Sequence, residues 1–337
     1  MPALLGGLGN YMLPVLIGSP DMAKDTKYNL NFLKTKYFLY FFYLLHSYKF
    51  NNLILPISNY VLNNNNRKEI NKNLGSYLAG LIEGDGYISI TNQNRVILGI
   101  TFNITDRPLA EKLLNCLGKG SIVSRKTQSI ELRISSKKSL SNVINIINGK
   151  FRTPKIDQLY KLIDWMNKKY SVKILKLPID NSPLTNNSWL AGFIDADGSF
   201  YIRYSQKQII CKFSLEQRMI YPKTLESYYT ILNKIAIFLN IKLSTRTRLN
   251  YKNSYYIIRV VNQNSIKILI DYLNKHFLLS SKYLDFLDWE RAFRVIVEKK
   301  HLTEEGKHII FSAKNNMNDK RSCFNWDHLN SLECREI

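Results

Sequence analysis

Leu78-Ala79-Gly80-Leu81-Ile82-Glu83-Gly84-Asp85-Gly86 and Leu190-Ala191-Gly192-Phe193-Ile194-Asp195-Ala196-Asp197-Gly198 are near copies of each other, 112 positions apart. One apolar helical run that closes in acid, small residue, acid and glycine carries little weight, but two in one chain imply a duplicated unit. In each copy small residues recur four apart, Gly80 with Gly84 and Gly192 with Ala196. That spacing puts them on one helical face and lets two such helices approach closely. Gly86 and Gly198 fit the position that ends a helix in the left-handed conformation, and Ser188, with Asn73 or Ser76 in the first copy, fits the opening cap.

Working outward, the two halves overlay. After the first motif come strand patterns at Tyr87-Ile90 and Val96-Ile104, a helix Pro108-Leu117 stopped by Gly118, strands near Ser121-Ser124 and Ile130-Ser135, and a helix Ser139-Ile147 stopped by Gly149. The second half repeats the order with Phe200-Tyr204, Ile209-Leu215, a helix Lys223-Leu239, Lys242-Thr247, Tyr255-Val261 and a helix Ser265-Lys275. Local echoes support the overlay: Leu132-Arg133-Ile134 with Ile258-Arg259-Val260, and Leu162-Ile163-Asp164-Trp165 with Phe286-Leu287-Asp288-Trp289. The expected fold is α+β, two pseudo-symmetric αββαββα halves, each with an antiparallel sheet, packed through the two motif helices. The halves span 74–177 and 188–298, and Pro178 to Asn187, rich in proline and small polar residues, is the linker between them.

The doubled motif resembles the signature of the LAGLIDADG homing endonucleases and their RNA-maturase relatives, in the single-chain type that carries it twice. Glu83 and Gly84 replace Asp and Ala in the first copy and Phe193 replaces Leu in the second, while the terminal acids Asp85 and Asp197 are kept. The resemblance implies a site-specific endonuclease that makes staggered cuts with 3′ extensions in double-stranded DNA, acting as a monomer, with a maturase for its own group I intron RNA as the alternative.

The acids gather where two helix C-termini meet, and each terminus adds about half a negative charge. Oxygen ligands without a nearby His or Cys favour Mg²⁺, with Mn²⁺ as a substitute. Helical geometry does not say which acid of each pair points inward, because residues two apart face nearly opposite ways. Equal side-chain length prefers Asp85 and Asp197 over the unequal Glu83 and Asp195, and the resemblance assigns the same two as metal ligands. A metal there would polarise the scissile phosphate, activate water and stabilise the leaving 3′ oxygen. The spacing before Gly198 does not supply a calcium loop of the EF-hand kind. Gln217 matches where the family places a polar residue near the metal, and Lys137 is a candidate for stabilising negative charge.

Reading bases in a major groove needs long polar side chains on a twisted antiparallel ribbon. The first half offers Ser89, Thr91, Gln93, Asn94, Arg95, Arg125, Lys126 and Gln128; the second offers Tyr201, Arg203, Ser205, Gln206, Lys207, Lys212, Arg246, Arg248, Tyr251 and Lys252. Alternation lets Tyr201 and Arg203 project together. Composition agrees: 48 Lys and Arg against 26 Asp and Glu give a formal charge of +22, which suits a polyanion, DNA or RNA.

Cys116, Cys211, Cys323 and Cys334 lack a Cys-x-x-Cys pair, which speaks against a disulfide framework and for a reducing compartment. His301, His308, Cys323, His328 and Cys334 cluster near the C-terminus with no standard zinc spacing. Residues 1–23 are apolar, without a positive n-region, and resemble a segment of cytochrome c oxidase subunit I, implying a mitochondrial reading frame that runs from a host exon into an intron; they offer the sole prospect of membrane contact. Residues 24–73 read as a poorly packed leader removable by proteolysis, and 299–337 as a tail without assigned chemistry.

Overall fold

The computed structural model describes residues 64–332 except 126, 127, 206, 207 and 249–252, with side chains from residue 73 onward and without those of 248 and 331. The oxidase-like stretch 1–23 and most of the leader lie outside these residues.

In chain order the first half consists of α1 (Asn64–Asp85), β1 (Gly86–Ile90), β2 (Val96–Asn103), α2 (Arg107–Leu117), β3 (Ser121–Ser124), β4 (Ser129–Ile134), α3 (Lys137–Ile147) and α4 (Ile156–Tyr170). The second half follows with α5 (Trp189–Asp197), β5 (Gly198–Tyr204), β6 (Ile209–Arg218), α6 (Tyr229–Phe238), β7 (Ser244–Arg248), β8 (Asn253–Val260), α7 (Gln263–Lys275) and α8 (Lys282–Val297), and α9 (Glu304–Asn315) lies in the tail. The expected αββαββα order is present twice, and each half adds one more helix, α4 or α8. The sheets are antiparallel with orders β1-β2-β4-β3 and β5-β6-β8-β7.

Alternation builds each sheet. Leu98, Ile100, Ile130, Leu132 and Ile134 point inward against Leu109, Leu113, Leu140 and Ile144, all buried. Phe200, Ile202, Phe213, Leu215, Ile258 and Val260 do the same in the second half, against Leu232, Ile235, Leu269 and Trp289. The opposite face of each sheet is left to solvent, the arrangement an antiparallel sheet permits. Even the caps repeat: Ser136 accepts a hydrogen bond from the Ser139 amide at the start of α3, and Asn262 from the Ser265 amide at the start of α7.

Several local expectations are corrected. The first motif helix begins at Asn64, so neither Asn73 nor Ser76 caps it. Ser188 makes no side-chain cap; its hydroxyl donates to the Asn73 carbonyl at 2.8 Å, and Asn187 instead accepts from the Trp189 amide. Gly86 and Gly198 are not left-handed caps, since both open strands and Gly198 has φ −78° and ψ 153°. They are small for lack of room: a Cβ at 86 would lie 2.6 Å from the Ile82 Cα, and one at 198 would lie 2.7 Å from the Ile194 carbonyl oxygen. The helix expected over 223–239 starts at Tyr229, because residues 219–228 close a loop on themselves. Tyr221 N–H donates to Glu226 O, Leu225 N–H to Tyr221 O, and Leu225 takes φ 61°.

The tail is built into the second half. Arg321 pairs with Asp285 and Asp288 of α8, Ile310 and Ala313 are buried, and the buried His328 ring bonds to the Leu279 carbonyl. Among the described residues no three metal-binding side chains come together, and no helix is long and apolar enough to cross a membrane. Among the described residues Cys211 and Cys323 are free and Cys116 is disulfide-bonded.

Candidate active site

The two motif helices cross at their glycines. A Cβ at Gly80 would collide with the Trp189 carbonyl oxygen, and one at Gly192 with the Tyr77 carbonyl oxygen. The pair is reciprocal, as a pseudo-twofold axis requires. One turn later a Cβ at Gly84 would collide with that of Ala196 and lie 3.2 Å from Asp197 Oδ2. The small residues therefore do what their spacing implied.

The four acids divide into two kinds. Glu83 is fully buried and accepts from the backbone N–H of Arg152 and Thr153 and from the Trp189 indole N–H at 2.5 Å. Asp195 does the corresponding work, accepting from the Tyr77 hydroxyl at 2.7 Å, the Leu279 and Ser280 N–H groups and the Ser280 hydroxyl. Each acid thus pins the segment leading into α4 or α8 and takes one donor from the opposite motif helix. Both are committed to structure.

Asp85 and Asp197 remain at the helix ends. Burial and repulsion from Asp85 push Asp197 up to about 6, and burial raises Asp85, while Lys282 and Lys155 draw both down. Gln217 donates from Nε2 to Asp197 Oδ2 at 3.1 Å. Asp85 is exposed and Asp197 partly buried, so both carboxylates can be reached from solvent. This donor set suits a hard divalent cation, which takes one or two carboxylates and completes its shell with water and phosphate oxygens.

The lysines are the groups that sequence reasoning missed. Lys155 Nζ donates to the carbonyls of Ile82, Gly84 and Gly86 at 3.2, 2.9 and 2.9 Å, and Lys282 Nζ to those of Ile194, Asp195 and Ala196 at 3.3, 2.6 and 2.8 Å. Each ammonium places its three donors on carbonyls at or just past the end of a motif helix, so the negative helix termini are already neutralised by protein. The signal was Thr153-Pro154-Lys155 against Ser280-Ser281-Lys282, a hydroxyl two residues before a lysine at a helix start. The echo of Leu162 to Trp165 with Phe286 to Trp289 obscured it, because it is three residues out of register. Trp165 donates to the Asn94 side chain, whereas Trp289 lies in the core against Phe200. Lys137 is not at the site: it is exposed at the first turn of α3, with its ammonium 4.5 Å from the centre of the Tyr170 ring.

The halves also brace each other beside the site. Asp106 of the first half accepts from the Ser281 N–H of the second at 2.7 Å. Gln158 of the first half accepts from the Ile88 N–H and bonds to the Tyr221 hydroxyl of the second.

The solvent faces of the sheets carry most of the expected polar groups. Tyr201 and Arg203 project together, with Tyr201 51% exposed and opposite Lys212, and Arg246 lies on the same face 3.6 Å from Glu216. In the first sheet Ser89, Thr91, Gln93 and Arg95 are exposed, whereas Arg125 is paired with Glu131, which also binds Arg133 and the Tyr87 hydroxyl. Asn94 anchors its turn to Trp165. Lys126, Gln206, Lys207, Tyr251, Lys252 and the Arg248 side chain lie outside the described residues.

Comparison with known proteins gives a consistent picture. The family model described as LAGLIDADG endonuclease matches residues 78–166 and 190–293. The chain is 31% identical over 319 residues to the intron-encoded DNA endonuclease aI3 of Saccharomyces cerevisiae, covering 79% of this chain and 77% of that one. It is 34% identical to a cox1 intron-2 protein of Schizosaccharomyces pombe, covering 69% of each. It is also 33% identical over 142 residues to the intron-encoded RNA maturase bI4 of Saccharomyces cerevisiae, covering 42% of this chain and 21% of that one. Its fold is similar to the I-SmaMI LAGLIDADG homing endonuclease bound to cleaved DNA, with TM-score 0.57 and 20% identity, covering 73% of this chain and 97% of that one.

Proposed function

The chain belongs to the LAGLIDADG homing endonuclease family, whose relatives here are mitochondrial intron-encoded proteins, and on that footing we propose that it is a monomeric, divalent-metal-dependent enzyme that cuts double-stranded DNA at an intron insertion site. One observation carries the reading. Asp85 and Asp197 lie at the ends of two crossing helices, close enough for Asp85 to raise the pKa of Asp197, between two antiparallel sheets whose solvent faces bear Arg, Lys, Tyr and Ser.

Asp85 and Asp197 would hold the metal, Mg²⁺ with Mn²⁺ as substitute, and when bound it supplies charge neutralisation at the scissile phosphate. The remaining chemistry belongs to the chain. Gln217 fixes the Asp197 carboxylate, and Lys155 and Lys282 hold the helix ends and keep positive charge beside the phosphates. Pseudo-symmetry gives each strand one half-site. Tyr201, Arg203, Lys212 and Arg246 in the second sheet, with Ser89, Thr91, Gln93 and Arg95 in the first, read bases and phosphates.

The maturase relative supports a second activity, assistance to splicing of the chain's own group I intron RNA, and an electropositive surface serves RNA as well as DNA. Retention of both Asp85 and Asp197 favours cleavage, because RNA binding alone gives no reason to keep both acids in place.

The test is incubation of the full chain and Mg²⁺ with a supercoiled plasmid carrying the joined oxidase exons around the codon for Ala23. Cleavage of the joined junction, with the intron-interrupted allele intact and the Asp85→Asn variant inactive but still DNA-bound, is the expected result. An intact plasmid overturns the endonuclease reading; full activity of Asp85→Asn overturns the site.

A further inference from the structure

The pseudo-symmetry that brings Asp85 and Asp197 together breaks at the outer end of the first half. β4 ends with Ile134 opposite Leu98, and β1 and β2 close with Ile90 opposite Val96, so the chain enters α3 at the same end of the sheet as the turn 91–95. The last turns of α4 reach that end as well. The Trp165 indole N–H donates to the Asn94 side chain at 2.5 Å, and Lys169 Nζ donates to the Asn94 carbonyl at 3.3 Å. Four exposed lysines gather here, Lys137 and Lys138 from α3 and Lys168 and Lys169 from α4. Lys137 Nζ lies 4.5 Å and Lys169 Nζ 5.8 Å from the centre of the same ring, that of Tyr170.

Folding gives no reason for this grouping. Lys137 and Lys138 open α3, at the positive end of its dipole, where a cation is disfavoured, and the first turn contains no acid. Among the described residues none of the four is paired with an acid, and the Asp164 carboxylate of α4 goes to Lys176 at 2.7 Å. The Tyr170 ring attracts both ammonium groups, yet they still repel each other. The second half avoids the arrangement. Aligning Ser139 with Ser265 and Lys155 with Lys282 puts Gln263, Asn264, Val295 and Ile296 at the four positions, and α9 packs on α8.

We propose that this cluster is a phosphate clamp for duplex DNA beyond the recognised site, so that the protein holds its DNA farther out on the side of its first half than on the side of its second. This rests on the endonuclease reading above. Continuity selects the partner. Thr91, Gln93 and Arg95 of the turn are exposed and assigned to the DNA, and Lys169 is bonded to that same turn, so a duplex lying along the first sheet leaves the protein past these lysines. Flexible ammonium groups suit phosphate oxygens, which carry no sequence, and each such contact releases counterions.

The experiment titrates the full chain, without divalent metal, against joined-exon duplexes with long flanks at both ends or trimmed to the core site at one end or the other. Wild type is expected to lose affinity about tenfold when one particular end is trimmed, and nothing when the other is. Lys137→Gln with Lys138→Asn installs residue types the second half already has. It should bind the long duplex about tenfold more weakly, with a salt slope lower by about two, and should gain nothing from the flank. Its cleavage rate at saturating enzyme with Mg²⁺ should match wild type. If its melting temperature falls, Lys168→Gln at the exposed end of α4 carries the test with half the change in slope. Equal binding of long and trimmed duplexes by wild type, or an equal loss on every duplex in the variant, overturns the proposal. So does a variant that binds the long duplex normally and the intron RNA more weakly, which assigns the lysines to RNA. A wild type with no preference for the joined-exon duplex over a scrambled one removes the endonuclease reading itself, whereas preference without flank dependence removes only the clamp.

Discussion

Trp189, the first residue of the second motif helix, donates its indole N–H to the Glu83 carboxylate of the first at 2.5 Å, and Tyr77 returns the contact by donating to Asp195 at 2.7 Å. The crossing is thus locked by two buried acids that are not the candidate catalytic ones. Burial outweighs the donors at Glu83 and lifts its pKa from 4.5 to about 7. A carboxyl that holds its proton more tightly when folded stabilises the fold below its unfolded pKa, and that stability is lost as pH rises through the folded value. Unfolding free energy should therefore fall between pH 5 and pH 8 by about 3 kcal/mol from Glu83, with Asp197, pushed up to about 6, contributing in the same direction. Glu83→Gln should flatten this slope in urea melts at several pH values. A slope unchanged by the substitution would show that Glu83 is already ionised across the range.

The glycine contacts predict a rescue. Gly84→Ala places a methyl group onto that of Ala196, an overpacking that costs about 1–3 kcal/mol or more. Removing the opposing methyl should restore room, so Gly84→Ala with Ala196→Gly should melt closer to the wild type than Gly84→Ala alone. Gly80→Ala meets the Trp189 backbone carbonyl, which cannot be trimmed, and no side-chain substitution should rescue it. Thermal melts of the four proteins decide between local overpacking and a general intolerance of the crossing.

The difference between what the sequence yielded and what it hid follows from distance along the chain. Acid spacing, small-residue spacing and strand alternation are local periodicities, so both motif helices, both sheets and the pairing of Asp85 with Asp197 were legible. Lys155 and Lys282 were not, because they reach the motif helices from 69 or more positions away, through a hydrogen-bonding requirement of helix-end carbonyls that leaves no periodic trace. Lys137, chosen for charge alone, turned out to be an exposed residue over Tyr170. The split of labour between Glu83 and Asp85 was equally hidden, since it depends on the backbone N–H groups of Arg152 and Thr153, which any residues would supply.

Lys155 predicts a variant that separates stability from chemistry. Lys155→Met keeps the apolar stem and removes three charge-assisted hydrogen bonds, which should cost about 2 kcal/mol of stability. Cleavage should fall by on the order of 10²-fold, with metal-free DNA affinity nearly unchanged, if the ammonium also serves the phosphates. Lys282→Met should behave the same way on the other half. A variant that loses stability and keeps its full rate would confine both lysines to holding the helix ends.

The sheet faces make opposite demands on two arginines expected from the sequence to do one job. Arg203 projects beside Tyr201 with no acid paired to it among the described residues, whereas Arg125 is already paired with Glu131, which Arg133 and Tyr87 also hold. Arg125 must break or share that pair to meet DNA, so its contribution to affinity is discounted by what it gives up. Arg203→Ala should therefore weaken binding to the joined-exon duplex by about 1–3 kcal/mol, either relaxing specificity at one position or lowering the salt slope by about one, depending on whether it reads a base or a phosphate. Arg125→Ala should weaken binding less and lower the melting temperature more, because Glu131 is left buried with one partner fewer. Fluorescence anisotropy across a salt series, run alongside thermal melts, measures both quantities, and a reversed order of the two variants would mean that Glu131 releases Arg125 when DNA arrives.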